Sequence, residues 1–454
     1  MIHKTIMEIA EYLGTEIFPK ENGNRSIHGV SIDSRQVQEG TLYVPMIGAR
    51  VDGHSFIESV KENGATASLW QKDHLPYPEG ISLILVDDTQ KALQDLAKAY
   101  LASLDCKVIA VTGSNGKTSC KDMLHSVFSQ EKKCQKTQGN RNNEIGLPLT
   151  ILDFEEDIEI AVLEMGMENF NEIDFLCKIA KPDVSIITTI GSAHMENLGG
   201  KVQIAQAKCE IFDNLKEGGL FLYNKDCPEI DIVLKDKDVS SHKVVSFGRE
   251  GNIQITSDIV YEENGICFST NIFEEPIHLR SFGQFQAMNC LPVIYVAKEF
   301  GLSNESILNG LKNLEMTKMR TQLLRCKNAK ILDDSYKSNP ESAKGAIDTL
   351  ICIEGKKHIA LLSDMLDLGP EENALHKEVG VYAKEKGVDL LYCVGPLSKY
   401  TVEGFGQGAT WFENKEALIE AVSPCLNEEN VLLVKGSRAM TMDTIVKEFM
   451  KGNE

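Results

Sequence analysis

The chain has 454 residues, 42% of them apolar, a length beyond what one hydrophobic core usually serves. With 67 acidic against 47 basic side chains its formal charge is −20, which argues against the broad basic face that nucleic acid demands, so any anionic ligand must meet a local basic pocket. Twelve scattered cysteines without a C-x-x-C pair, an N-terminus of amphipathic helical period and no apolar stretch near the ~20 residues a bilayer needs predict reduced thiols, a cytoplasmic location and no integral membrane contact.

In chain order, MIHKTIMEIAEYLG reads as a helix, SIHGVSIDS, TLYVPMIG and SLILVDD as strands, and GHSFIESVKENG and QKALQDLAKAYLASL as helices. The last of these helices runs up to the strand at 107, which predicts a first domain over 1–103. Strand-length apolar runs at 108–111, 161–163 and 184–187 alternate with segments of helical period, as in a buried parallel sheet. Alternating segments around Glu263-Asn264-Gly265 signal a hairpin, an antiparallel appendage to a second domain spanning 104–314. After 316 the β/α rhythm restarts with KILDDSY, PESAKGAIDTL, HIALLSD, HKEVGVYAKEKG, LLYCVG, NKEALIEAV, VLLVKGS and TMDTIVKEFM. The fold class predicted is therefore α/β in three domains, with a central phosphate-loop (P-loop) parallel-sheet ATPase domain and a Rossmann-like domain over 315–454.

The chemistry begins at VIAVTGSNGKTS, where an apolar strand runs into Gly113, Ser114, Asn115, Gly116, Lys117, Thr118 and Ser119 and then into a helical pattern. Glycines let backbone N–H groups approach phosphate oxygens, the helix N-terminus favours negative charge, Lys117 reaches terminal phosphates and the Thr118 hydroxyl suits Mg²⁺. The generic G-x-x-x-x-G-K-[ST] pattern fails at its first position, which is Val111. Further on, IEIAVLEMGM delivers Glu164 at the carboxyl end of a buried-looking strand, where open α/β sheets gather ligands. Asn140, Arg141, Asn142 and Asn143 form a dense set of polar groups before an apolar run; read alone they fit a solvated turn capping a helix.

The short form TGSNGKT resembles that of the Mur ligases and the related folylpolyglutamate synthetases. SIDSRQVQEGTLYVPMIGARVDGHSFI resembles the UDP-binding entry domain of the ligases acting on UDP-muramoyl peptides, which implies Ser34 and Arg35 near a uridine diphosphate and disfavours the folate branch. TQGNRNNEIGLPLTIL resembles the stretch with which the dipeptide-adding branch contacts the muramoyl peptide, implicating Asn140, Arg141, Asn142 and Asn143 in substrate binding. The resemblance makes Lys117, His194 and Lys208 catalytic, and assigns two Mg²⁺ ions to Thr118, Glu164, His194 and Lys208, with Lys208 carried as a carbamate. It also implies Asn289 on adenine, and Arg320 and Asp334 on ATP. Three positions depart from the family pattern: Phe285 and Gln286 stand for His and Asn, and Lys337 for Asn.

The activity implied is ATP-dependent ligation of D-alanyl-D-alanine to a UDP-N-acetylmuramoyl-tripeptide in cell-wall synthesis, by a monomer with small-molecule partners. Three other readings fit parts of the pattern. A sister ligase adding the third residue shares the UDP and ATP segments, but TQGNRNNEIG and the absence of a D-N-P-R stretch stand against it; a P-loop kinase would stop at phosphoryl transfer; and a catalytically silent nucleotide-binding or scaffold protein is suggested only by the departures at Phe285, Gln286 and Lys337.

Overall fold

The computed structural model describes residues 1–192, 195–326 and 329–451, and the three larger of its β-sheets divide the chain. In the first, strands Val30–Ser31, Leu42–Tyr43, Ala67–Gln71 and Ser82–Val86 run parallel, and Glu16–Phe18 pairs antiparallel at the edge. The run SIHGVSIDS is not one strand. Gly29, at φ +85°, breaks it, sending Ser26–His28 to pair with His3–Thr5 instead. The opening segment accordingly starts as a strand, and its helix, Ile6–Leu13, begins only where Thr5 and Glu8 close a capping box.

The central sheet has six parallel strands in the order Lys243–Phe247, Leu220–Asn224, Val184–Ile187, Lys107–Thr112, Ile160–Glu164, Cys134–Lys136. Beginning in the middle, the chain builds one side and then crosses to the other, so strand order reverses beside Lys107–Thr112. A crevice opens at the carboxyl ends there, the usual ligand position in such sheets. Val260–Glu262, Gly265–Thr270 and Phe273–Leu279 form the antiparallel appendage, with the hairpin turn at Glu263-Asn264. The third sheet orders Gln322–Cys326, Ala329–Asp334, Asn430–Lys435, Lys357–Ser363, Leu390–Val394 and Ala409–Phe412, all parallel except the first. The structure adds helix Ser398–Phe405 and strand Ala409–Phe412 to the elements expected from the sequence.

The units are joined unequally. One continuous apolar core runs from Ile6 and Leu69 through the Asp88-capped helix Thr89–Ser103 to Leu147 and Leu163, fusing the first unit to one face of the central sheet. The Tyr100 hydroxyl donates to the Phe154 carbonyl at 2.7 Å across that seam. The third unit instead brings Phe282 and Tyr261 into its core and adds polar contacts with the central unit. The cysteines of the central unit are free thiols, and among the described residues no helix is long and apolar enough to cross a membrane.

Truncating the fully buried Leu147 to Ala should cost about 2–5 kcal/mol. Because the core is shared, amide exchange should accelerate together in strands Ala67–Gln71 and Ile160–Glu164 while strand Lys357–Ser363 keeps its protection; hydrogen exchange read by mass spectrometry checks this.

Candidate functional site

The strand Lys107–Thr112 turns into the helix Lys117–Phe128 through two glycines in the left-handed region, Gly113 at φ +148° and Gly116 at φ +87°. Space as well as torsion demands glycine: a Cβ on Gly113 would collide with the Thr188 hydroxyl, and one on Gly116 with the Asn289 amide. Ser114 N–H donates to the Thr189 carbonyl at 2.8 Å and Asn115 N–H to the Thr189 hydroxyl at 3.0 Å, pinning the turn to the neighbouring strand end. No side chain caps the helix N-terminus, so its first N–H groups and its positive dipole end face the crevice.

Lys117 folds back to donate to the Gly113 carbonyl at 2.6 Å. Burial, helped by the charges of Lys337 and Arg320 and opposed by Glu164, pushes its ammonium down to about 8. The Thr118 hydroxyl donates to Glu164 Oε2 at 3.0 Å, Asn142 Nδ2 donates to Oε1 at 2.8 Å, and the buried Lys121 ammonium lies 3.7 Å from Oε2. Two oxygens at right angles around an ion with bonds of about 2.1 Å sit about 3.0 Å apart, so Thr118 and Glu164 fit adjacent positions of an octahedral Mg²⁺. Such an ion usually takes few protein ligands and fills its shell with waters and phosphate oxygens.

The third unit supplies the facing wall. Arg320 stacks on the Tyr336 ring, its guanidinium carbon 4.1 Å from the centroid, and its buried Nε has no hydrogen-bond partner. Asp334 is held by Thr321 N–H at 3.0 Å and by the Lys435 ammonium at 2.6 Å. Asn339, which caps the helix Pro340–Cys352, exchanges two amide hydrogen bonds with Asn115 of the phosphate turn, at 2.9 and 3.3 Å. Two residues later, Glu341 accepts from the Ser192 hydroxyl at 2.7 Å and pairs with Lys201 at 3.1 Å.

Two cavities meet at this seam. One, of about 520 Å³, is lined by the turn 114–119, Asn289, Arg320 and Asp334. The other, of about 810 Å³, is lined by Asn140, Asn142, Asn143, Glu164, Tyr336 and Arg438 among others. Lys117, Thr118, Arg320 and Lys337 line both.

Most of the residues singled out from sequence thus converge, but not all. Arg141 turns away to pair with Asp153 at 2.6 Å, and Ser34 and Arg35 line neither cavity, Arg35 forming an exposed fork onto Asp33. His194 lies outside the described residues. Lys208, on the helix Lys201–Asp213, is buried with no hydrogen-bond or ion-pair partner among the described residues; burial, with the charges of Lys117 and Lys337, holds its amine well below the usual lysine range. Gln286 keeps a polar group beside Asn289, accepting from its amide at 3.3 Å, although the family residue there differs. Sequence reading missed the Asn115–Asn339 and Ser192–Glu341 contacts, because nothing local marks partners so distant in the chain.

Three sequence profiles match the chain: the Mur ligase family catalytic domain over 26–101, the Mur ligase middle domain over 111–297 and the Mur ligase glutamate ligase domain over 319–438. The UDP-N-acetylmuramoyl-tripeptide–D-alanyl-D-alanine ligase of Bacillus subtilis (strain 168) is 38% identical, covering 99% of both chains, and the protein of the same name from Escherichia coli (strain K12) is 30% identical over 98% of both. Among solved structures, MurF from Acinetobacter baumannii superposes with a TM-score of 0.91 at 26% identity over 99% of both chains. MurF ligase from Thermotoga maritima in complex with ADP gives 0.83 at 28% identity, covering 93% of this chain and 97% of that one.

An anion seated on the turn binds best while Lys117 is protonated, and its presence raises the Lys117 pKa. Affinity for a non-hydrolysable ATP analogue should therefore be flat below pH 8 and weaken above it, by up to about tenfold per pH unit. Lys117→Arg, permanently charged, should bind more weakly but lose this dependence; isothermal titration from pH 7 to 9.5 tests both.

Proposed function

Because this chain belongs to the Mur ligase family, we propose that it joins D-alanyl-D-alanine to a UDP-N-acetylmuramoyl-tripeptide, consuming ATP and releasing ADP and phosphate in peptidoglycan precursor synthesis. The observation that carries this reading is the pair of cavities sharing Lys117, Thr118, Arg320 and Lys337: a nucleotide in one and a peptide acid in the other would meet at those groups. In this assignment residues 1–103 bind the UDP-muramoyl end, with Ser34 and Arg35 near the diphosphate. Residues 104–314 hold ATP, and residues 315–454 close over it and take the incoming dipeptide.

The chemistry has two steps. The tripeptide carboxylate oxygen attacks the γ-phosphorus, and the bond to the β–γ bridging oxygen breaks with its electron pair going to ADP. The dipeptide amine then attacks the acyl carbon, loses a proton, and phosphate leaves with the C–O electron pair. Lys117 and Arg320 neutralise charge on the transferring group, and the uncapped helix N-terminus holds the other phosphates. Asn289 faces the base, while Asn140, Asn142 and Asn143 position the peptide acid.

Thr118 and Glu164 would hold Mg²⁺, which supplies Lewis-acid screening between the two anions. The amine of Lys208, without a partner among the described residues and held by burial well below the usual lysine range, is suited to take up carbon dioxide as a carbamate, and with His194 would serve a second ion. Intact-mass measurement of the active enzyme in bicarbonate should show one added carbon dioxide, absent from Lys208→Ala; an unmodified active enzyme removes the carbamate.

The decisive assay offers purified UDP-muramoyl dipeptide and tripeptide against single amino acids and D-Ala-D-Ala, with products weighed by mass spectrometry. Pentapeptide should form only from tripeptide with the dipeptide, and Lys117→Ala should lose at least about 100-fold in rate. ADP and a phosphorylated product formed without the dipeptide would favour a kinase, and addition of a single amino acid would favour a sister ligase.

A further inference from the structure

We propose that Lys337 is a further catalytic residue, a cation placed to contact the phosphoryl group as it passes from nucleotide to peptide acid; this rests on the ligase reading above. Four residues line both cavities, and Lys337 is the one among them that belongs to no recognised motif and departs from the family pattern. An asparagine there offers a neutral amide. Lysine adds a full positive charge at the point where two anions approach.

The surroundings hold that charge ready for a ligand. In a chain of net charge −20, several lysines around the site are paired, Lys435 with Asp334 at 2.6 Å, Lys201 with Glu341 at 3.1 Å and Lys136 with Asp122 at 2.6 Å, whereas Lys117 and Lys208 have no ion pair among the described residues. Lys337 has no hydrogen bond or ion pair through its ammonium among the described residues, although Asp367 and Glu168 are near enough to oppose the lowering of its pKa by surrounding protein and Arg320. Its backbone, by contrast, is fixed. The Lys337 carbonyl accepts from the Lys435 ammonium at 2.8 Å, and two residues on Asn339 clasps Asn115 of the phosphate turn. An anchored backbone carrying an unpaired cation into a shared mouth is unlike an ordinary surface lysine, which costs little to pair or to leave free in water.

As the carboxylate oxygen bonds to phosphorus and the bridging oxygen departs with its electron pair, negative charge spreads over the transferring oxygens. A fixed cation there stabilises that distribution more than it does bound ADP. Lys337→Met should therefore lower kcat by about 100-fold while leaving the Kd of ADP alone within about threefold. Lys337→Arg should keep activity within about tenfold. A second measurement needs no turnover: titration of ADP with tetrafluoroaluminate, in the presence of UDP-muramoyl tripeptide, should show at least about tenfold weaker binding to Lys337→Met than to the unaltered chain.

The proposal is overturned if Lys337→Met melts like the unaltered chain and keeps kcat within about threefold, or if it weakens ADP and the tetrafluoroaluminate complex equally. Failure of the ligase reading looks different, since the unaltered chain would then make no pentapeptide while the tetrafluoroaluminate comparison would still report on Lys337.

Discussion

Bringing a carboxylate against a triphosphate is the constraint around which this molecule is arranged. Two unit charges 4 Å apart repel by about 4 kcal/mol at an effective dielectric of 20, and the triphosphate carries several. An acidic protein worsens that repulsion unless it concentrates positive charge locally. Here Lys117, Arg320 and Lys337 converge at the seam of two cavities, none held in an ion pair with a carboxylate among the described residues. Burying cations without a carboxylate held in an ion pair costs stability, and the lowered pKa of Lys117, driven by burial and opposed by Glu164, is the trace of that cost.

The unequal joints between units follow from the same need. The first two units share an apolar core, and such a joint does not open without exposing Leu147, Leu163 and their neighbours to water. The third unit meets the phosphate turn through amides, a carboxylate and a hydroxyl, groups that water satisfies almost equally well when the contact parts. Under the proposed reading, a cleft that admits a nucleotide and a peptide and then excludes water from an acyl phosphate would need one rigid wall and one that can part. Arg320, Tyr336, Lys337 and Asp334 all sit on the third unit, the side that meets the central unit through polar groups.

How much of this was legible in the sequence depended on whether the signal was local. The phosphate turn could be read because Gly113, Gly116, Lys117 and Thr118 are contiguous and each meets a steric or electrostatic demand of the turn itself. Glu164 was legible because a continuous apolar strand ends on it. The Asn140–Asn143 run could be seen as polar but not divided: only packing shows that Asn142 holds Glu164, Asn143 caps the helix Gly146–Leu152, and Arg141 leaves for Asp153. The split of SIHGVSIDS at Gly29 was hidden for the opposite reason, since a strand pattern does not say which sheet will pair with each half. Contacts such as Glu341 with Ser192 belong to the closure of three units and have no local signature.

One network links these levels. Lys121, buried inside the phosphate helix, lies 3.7 Å from both Glu164 and Asp122, and Asp122 accepts from the Lys136 ammonium at 2.6 Å and from Thr317 N–H at 2.8 Å. Thr317 belongs to the segment connecting the central unit to the third, three residues before Arg320. Glu164, the helix Lys117–Phe128 and the segment leading to Arg320 are therefore tied through one buried lysine and one buried aspartate. Such a pair is poor at adding stability, because desolvation consumes most of the attraction, but it is strongly orienting, since removing either partner strands a charge in the core. That places the Asp122–Lys121 pair where position matters more than strength, between the phosphate turn and the segment that joins the central unit to the third.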